Sequence, residues 1–280
     1  MTNTDLRVDG YLSYTFTPQV AEIYLAYLFK VDPKRVQAFG VFNWPGAFFV
    51  ADPPMNHCQP KHIGNGRYAW LLDYAIARYG SVVPQQLWSP QGQGDWRRYV
   101  EQARLYIPVF FVNMDGSLGV PVSYAAAGQM SLRDAHDPAP LGDRTTTKIR
   151  ISVRITAVDT CTALLTFMSQ WPGYIPSEQQ VQLRDQTPAR NPVTLERFVK
   201  HVGSRVRQFL VVGLSFLCGS ESGDLMVIRQ DCERIPCDPY SKWIVGPGRI
   251  TFNEVVLIGV VQVSAGSWMP ILQLKERVIM

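Results

Sequence analysis

The chain has 280 residues, 46 % apolar and 18 % charged, with 27 Lys and Arg against 23 Asp and Glu. This is a globular composition with room for one large domain or two ordinary ones, not that of a disordered chain. The net charge of +4 is unevenly placed: Arg144–Arg207 carries ten basic and four acidic residues, a net of +6, while the stretches on either side are each −1. A cationic zone in an otherwise balanced chain predicts a surface facing nucleic acid, phospholipid or an acidic partner.

Taken in order, Thr17-Pro18 predicts the start of a helix, since Thr is a good cap and Pro fits the first helical position. Val20, Ile23, Tyr24, Tyr27 and Leu28 follow at helical spacing, and Asp32-Pro33 is expected to end the run. The aromatic, Pro-punctuated stretch Phe39–Pro60 predicts short strands and loops. A second helix is expected over Arg67–Tyr79, bounded by Gly66 and Gly80, and a third over Asp95–Tyr106. Tyr106–Asn113 reads as a strand before the Asp115-Gly116 turn. Residues 128–147 lack apolar periodicity and predict a long exposed loop.

Beyond that loop the texture is β. Thr145–Thr156 alternates Ile149, Ile151, Val153 and Ile155 with Lys148, Arg150, Ser152 and Arg154. Ala163–Met168, Leu225–Arg229, Arg249–Val263 and Ser267–Leu274 predict further strands. One amphipathic helix interrupts them over Pro192–Leu210, capped by Asn191, with Leu195, Phe198, Val199, Val202, Val206, Phe209 and Leu210 as its apolar stripe. The fold class expected is mainly β: an antiparallel β-sandwich, jelly-roll-like, with a few inserted helices. It is read as a single domain over residues 1–280, the 128–147 loop being the one candidate for an internal division.

The motifs of hydrolases, nucleotide-binding loops and zinc proteases (Gly-x-Ser-x-Gly, Gly-x-x-x-x-Gly-Lys, His-Glu-x-x-His) are missing. His57-Cys58 with His62 lacks a second cluster at structural-zinc spacing. Asp134, His136 and Asp137 share a loop with no recognisable nucleophile and base around them. No catalytic residue, metal or cofactor is therefore predicted. Cys58, Cys161, Cys218, Cys232 and Cys237 form an odd, scattered set, read as reduced thiols in an intracellular setting, with Cys161 and Cys218 in the core. The polar N-terminus predicts no signal peptide, and the apolar runs fall short of the ~20 residues of a membrane span. Trp44, Phe48, Phe49, Trp70, Trp88 and Trp96 read as core or interface residues before a base-stacking platform.

The candidate site is the cationic zone. Lys148, Arg150 and Arg154 occupy the polar side of the alternating strand. Arg197, Lys200, His201, Arg205 and Arg207 lie opposite the apolar stripe of the helix, with Glu196 the only acid nearby. A solvated face normally mixes both signs, and here two elements share one. The expected consequence is salt-sensitive contact with RNA or DNA phosphates, without sequence preference, or with an acidic chain.

The basic strand Lys148–Thr156, the cationic helix and the closing Arg249–Leu274 hairpin with Ser267-Trp268-Met269-Pro270 resemble, over residues 106–280, the jelly-roll capsid proteins of small icosahedral viruses. The resemblance implies a non-enzymatic shell subunit in a virion, a homo- or hetero-oligomer with wide contacts between β-rich subunits and a basic face toward the genome. Many such proteins carry an Arg-rich N-terminal arm, whereas Met1–Gly10 holds only Arg7. The alternatives are a cytoplasmic nucleic-acid-binding subunit of a ribonucleoprotein or defence complex and, third, an enzyme of unrecognised type.

Overall fold

The computed structural model describes residues 9–32, 41–44, 46–50, 61–64, 66–76, 81–88, 92–141, 148–153, 177–184, 191–215, 243, 245 and 249–275. Two short helices open it, α1 (Tyr11–Phe16) and α2 (Pro18–Phe29). Pro18 takes the first position of α2, but Thr17, at a φ of 72°, makes no side-chain cap bond. The helix stops before Asp32-Pro33 because Lys30 adopts the left-handed conformation and its N–H closes the last turn on Ala26 and Tyr27.

Four strands follow: β1 (Val41–Trp44), β2 (Ala47–Val50), β3 (Lys61–Gly64) and β4 (Arg67–Tyr74). They form an antiparallel sheet in the order β1-β2-β4-β3. β4 corrects the helix expected over Arg67–Tyr79. The spacing of Trp70, Leu71 and Tyr74 suits either period, and tertiary pairing decides. Gly66, at a φ of +71°, makes the turn from β3. Leu71 and Trp70 then pair with Phe49 and Val50 of β2. The third expected helix is short: α3 (Gln93–Trp96) runs into a π turn at Arg97–Glu101.

The second sheet contains β5 (Val109–Phe110), β6 (Val120–Pro121), β7 (Lys148–Val153), β8 (Ser177–Gln182), β9 (Val255–Ser264) and β10 (Ser267–Leu274). Its order is β5-β9-β10-β7-β8, with β6 also on β9. All pairings are antiparallel except β7 with β10, which run parallel through Arg150–Ser267 and Ile151–Trp268. Neither sheet closes on itself among the described residues. Helices α4 (Val122–Ala127) and α5 (Leu195–Ser215) complete the set. The strands expected over Ala163–Met168 and Leu225–Arg229, and all five cysteines, lie outside the described residues.

β9 and β10 are almost continuously apolar, a pattern that needs cover on both faces. One face, with Leu257, Val260, Trp268 and Leu272, meets α4 and the whole apolar stripe of α5. The other, with Ile258, Val261, Met269 and Ile271, meets α1, α2, β2 and β4. The Tyr11 hydroxyl donates to Oε1 of Gln273 at 2.8 Å, tying α1 to β10. The described part of the expected loop, 128–141, is largely exposed, and Leu132 and Leu141 anchor it in the first core.

α5 also packs closely on α4. A Cβ on Gly203 would sit 2.5 Å from Cβ of Ala125 and 3.0 Å from the amide nitrogen of Ala126. Ala exceeds Gly in helix propensity by about 1 kcal/mol, while overpacking a filled contact costs about 1–3 kcal/mol. Gly203→Ala is therefore expected to lower the midpoint of urea unfolding. A midpoint at or above the parent's would show that α4 moves aside freely.

Candidate functional site

The start of α5 determines where its charges point. The helix was expected from Pro192, but residues 191–194 are extended: Val193 is buried and its N–H donates to the Leu183 carbonyl at 3.0 Å. Thr194, not Asn191, supplies the cap, its Oγ1 accepting the Arg197 N–H at 3.3 Å. The 134–139 loop satisfies two more donors of the first turn, since Leu195 N–H donates to the Asp137 carbonyl and Glu196 N–H to the Ala135 carbonyl. Asp134, His136 and Asp137 thus belong to a segment that seats the helix.

With the apolar stripe held in the core, the cations of α5 divide between two flanks. Arg197, His201 and Arg205, one turn apart, face the edge of β8. Together with Gln180, Val181, Gln182 and Arg184 they line a cleft of about 270 Å³. Among the described residues no acidic side chain lines it. Arg205 is oriented by a bond from its Nη1 to Oε1 of Gln208 at 3.1 Å. On the other flank, the Lys200 stem lies over Gly128, which closes α4, and the Arg207 guanidinium stacks 4.9 Å from the centre of the Phe252 ring.

Of the strand residues, Lys148 pairs in register with Gln182 and Arg150 with Gln180, while Ile149 pairs with Val181. Val181 is buried with α5. Positions 148 and 150 therefore share the register face of Gln182 and Gln180, opposite that of the buried Val181. Arg154 lies outside the described residues. The structure thus brings together Arg197, His201 and Arg205, and turns Lys200 and Arg207 aside. It adds Arg184 with Gln180 and Gln182, which the sequence reading passed over. The alternation of Gln180, Gln182 and Arg184 with Val181 and Leu183 marks an extended segment, but not what that segment lies beside.

His201 is half-buried and held below its ordinary value near 6.5, first by burial and then by the positive charges of Arg197, Arg205 and Lys200. The site is therefore a cationic cleft with a neutral imidazole inside it at pH 7. An anion relieves the mutual repulsion of its arginines and hydrogen bonds to their planar donor forks.

A second titratable group stands apart. Asp73 on β4 is fully buried, and burial pushes its carboxyl up to about 8, against the N–H bonds it accepts. Its Oδ2 accepts from Leu12 at 3.0 Å and its Oδ1 from Tyr74 at 2.8 Å, with Tyr11 a further backbone donor. A strongly shifted carboxyl is a common mark of an active site. This one is occupied in capping α1 across the sheet, so its role is structural.

Among the described residues no group of three or more His, Cys, Asp or Glu is placed to hold a metal ion. His57 and Cys58 lie outside that set, and His62 is on β3. Of the aromatic residues considered for base stacking, Phe48 and Phe49 are buried in the second core, and Trp70 and Trp88 pack against it. No described helix is long and apolar enough to cross a membrane. No protein-family model, curated protein or solved structure matches the chain.

Asp73 generates a pH prediction. Its folded pKa, about 8, lies above its ordinary value of 3.8, so the unfolded chain ionises first as pH rises. Its stabilising contribution is whole below about pH 4 and is lost as pH climbs toward 8, with a slope of at most about 1.4 kcal/mol per pH unit. Asp73→Asn is expected to flatten that part of the profile. Denaturant unfolding of both proteins between pH 4 and 8 checks it, and parallel profiles would refute the assignment.

Proposed function

We propose that the chain is a non-enzymatic assembly subunit that turns its α5–β8 face toward nucleic acid, as the inner face of a virion shell protein does. The observation that carries this reading is the cleft itself: Arg184, Arg197 and Arg205 line one space, with no carboxylate among the described residues that line it. Phosphate contacts of this kind position a nucleic-acid backbone without reading its sequence. In this reading the four- and six-stranded sheets, which share the second core with α1 and α2, are the two layers of a jelly-roll-like sandwich.

Single-stranded RNA is expected to bind with little sequence preference, and log affinity should fall with log salt at about 0.7 per phosphate contacted. Replacing Arg184, Arg197 and Arg205 together by Gln should lower that slope by about two. Filter binding of a uridine homopolymer between 50 and 300 mM salt measures it, with circular dichroism confirming the fold. Sedimentation of the purified protein tests the assembly: large closed particles support a shell subunit. A monomer or small oligomer that carries RNA points instead to a ribonucleoprotein subunit. An unaltered slope in the triple variant would mean that the face is merely solvated.

A further inference from the structure

Resting on that reading of the cleft, we infer that it holds one phosphate group and that His201 takes up a proton as the phosphate enters, which couples occupancy to pH. Arg197, His201 and Arg205 stand at i, i+4 and i+8, successive positions about 6 Å apart along the axis and on one side of α5. Arg184, two residues beyond the end of β8, lines the same cleft. Three guanidinium forks around a single space suit the oxygens of a phosphate. At about 270 Å³ the cleft is smaller than the ~300–1,000 Å³ typical of drug-sized ligands, and it has room for a phosphate with its attached sugar. Gln180, Val181 and Gln182 form the wall along the β8 edge.

His201 lies between the two helix arginines and is half-buried. Among the described residues, the charges that act on it are cationic, Arg197, Arg205 and Lys200 on its own helix, and Arg184, just beyond β8, lines the same cleft. Glu178 of β8 pairs in register with Ser152, and Lys148 and Arg150 of β7 share the register face of Gln182 and Gln180. Those surroundings and burial keep the empty ring neutral. A phosphate reverses the local sign. The free ring nitrogen then binds a proton from solvent, and the resulting N–H donates to a phosphate oxygen, so phosphate binding is accompanied by partial proton uptake, greatest between the two pKa values of His201. By linkage, phosphate raises the pKa of His201 and protons raise the affinity for phosphate by the same factor.

The test follows the imidazole resonances of the ¹³C-histidine-labelled full chain through a pH titration, with and without saturating inorganic phosphate. His201 is assigned by H201Q among the four histidines. The expected result is a titration below 6.5 in the free protein that moves up by about one pH unit with phosphate. That shift is equivalent to about tenfold tighter binding below both pKa values than above them. A uridine oligonucleotide lacking terminal phosphates distinguishes a backbone diester from a free phosphate. A shift with both ligands places the nucleic-acid backbone in the cleft. A shift with inorganic phosphate alone keeps the phosphate site and removes the proposal that this face meets nucleic acid. Salt-sensitive oligonucleotide binding with His201 unmoved by either ligand overturns the inference and leaves that proposal standing. With no binding and no shift, both fail. R197Q serves as a second readout, since loss of the phosphate-induced shift in this exposed-site variant is required if the anion sits where the geometry puts it.

Discussion

The burial of both faces of the β9–β10 hairpin is the constraint on which the other elements depend. Its strands have almost no polar alternation, so neither side can be left to water. Covering one side requires α4 and α5; covering the other requires α1, α2 and the four-stranded sheet. A large apolar side chain moved from water into such a core gains about 1.5–3 kcal/mol, and each of the two faces contributes several. By comparison, the hydrogen bond from Tyr11 to Gln273 adds about 1 kcal/mol and ties α1 to β10.

The candidate site follows from that packing. Seven stripe residues of α5 are buried, from Leu195 to Leu210, so the helix cannot rotate about its axis without exposing some of them. Close contact of Gly203 with Ala125 fixes its distance from α4. Once the rotation is fixed, Arg197, His201 and Arg205 must lie toward β8, and Lys200 and Arg207 toward α4 and Phe252. The cationic cleft is thus a by-product of an apolar seam, and its geometry is as rigid as the core behind it.

This dependence also explains what could be read from the sequence. The stripe of α5 and the closing hairpin were legible because each repeats a simple period over many residues. The start of α5 was not, because Asn191-Pro192 is locally the better opening, yet Val193 gains more by entering the core and pairing with Leu183. β4 was misread as a helix because eight residues rich in aromatics satisfy both periods, and only its pairing with β2 separates them. Half of the site was visible in the helix. Arg184 was not, because a lone arginine acquires meaning only when β8 is laid beside α5, a relation between segments that local pattern does not carry. Lys148 and Arg150 look equivalent to the helix cations until the register of β7 with β8 puts them on the face opposite that of the buried Val181.

The Tyr11–Gln273 contact has a consequence for how the chain is made. The two residues are 262 positions apart, and the hairpin that both cores depend on comes after every element it supports. As the chain leaves the ribosome, Phe16, Leu25, Phe48 and Leu72 emerge long before Met269 and Ile271, the side chains they pack with. At about 5–20 residues per second, that interval lasts on the order of ten seconds or more. Throughout it the early helices and sheet present an uncovered apolar surface, the condition under which nascent chains recruit chaperones or stick to one another. Dependence on a late-synthesised centre also gives the fold a high contact order, and hence slow closure from the unfolded state.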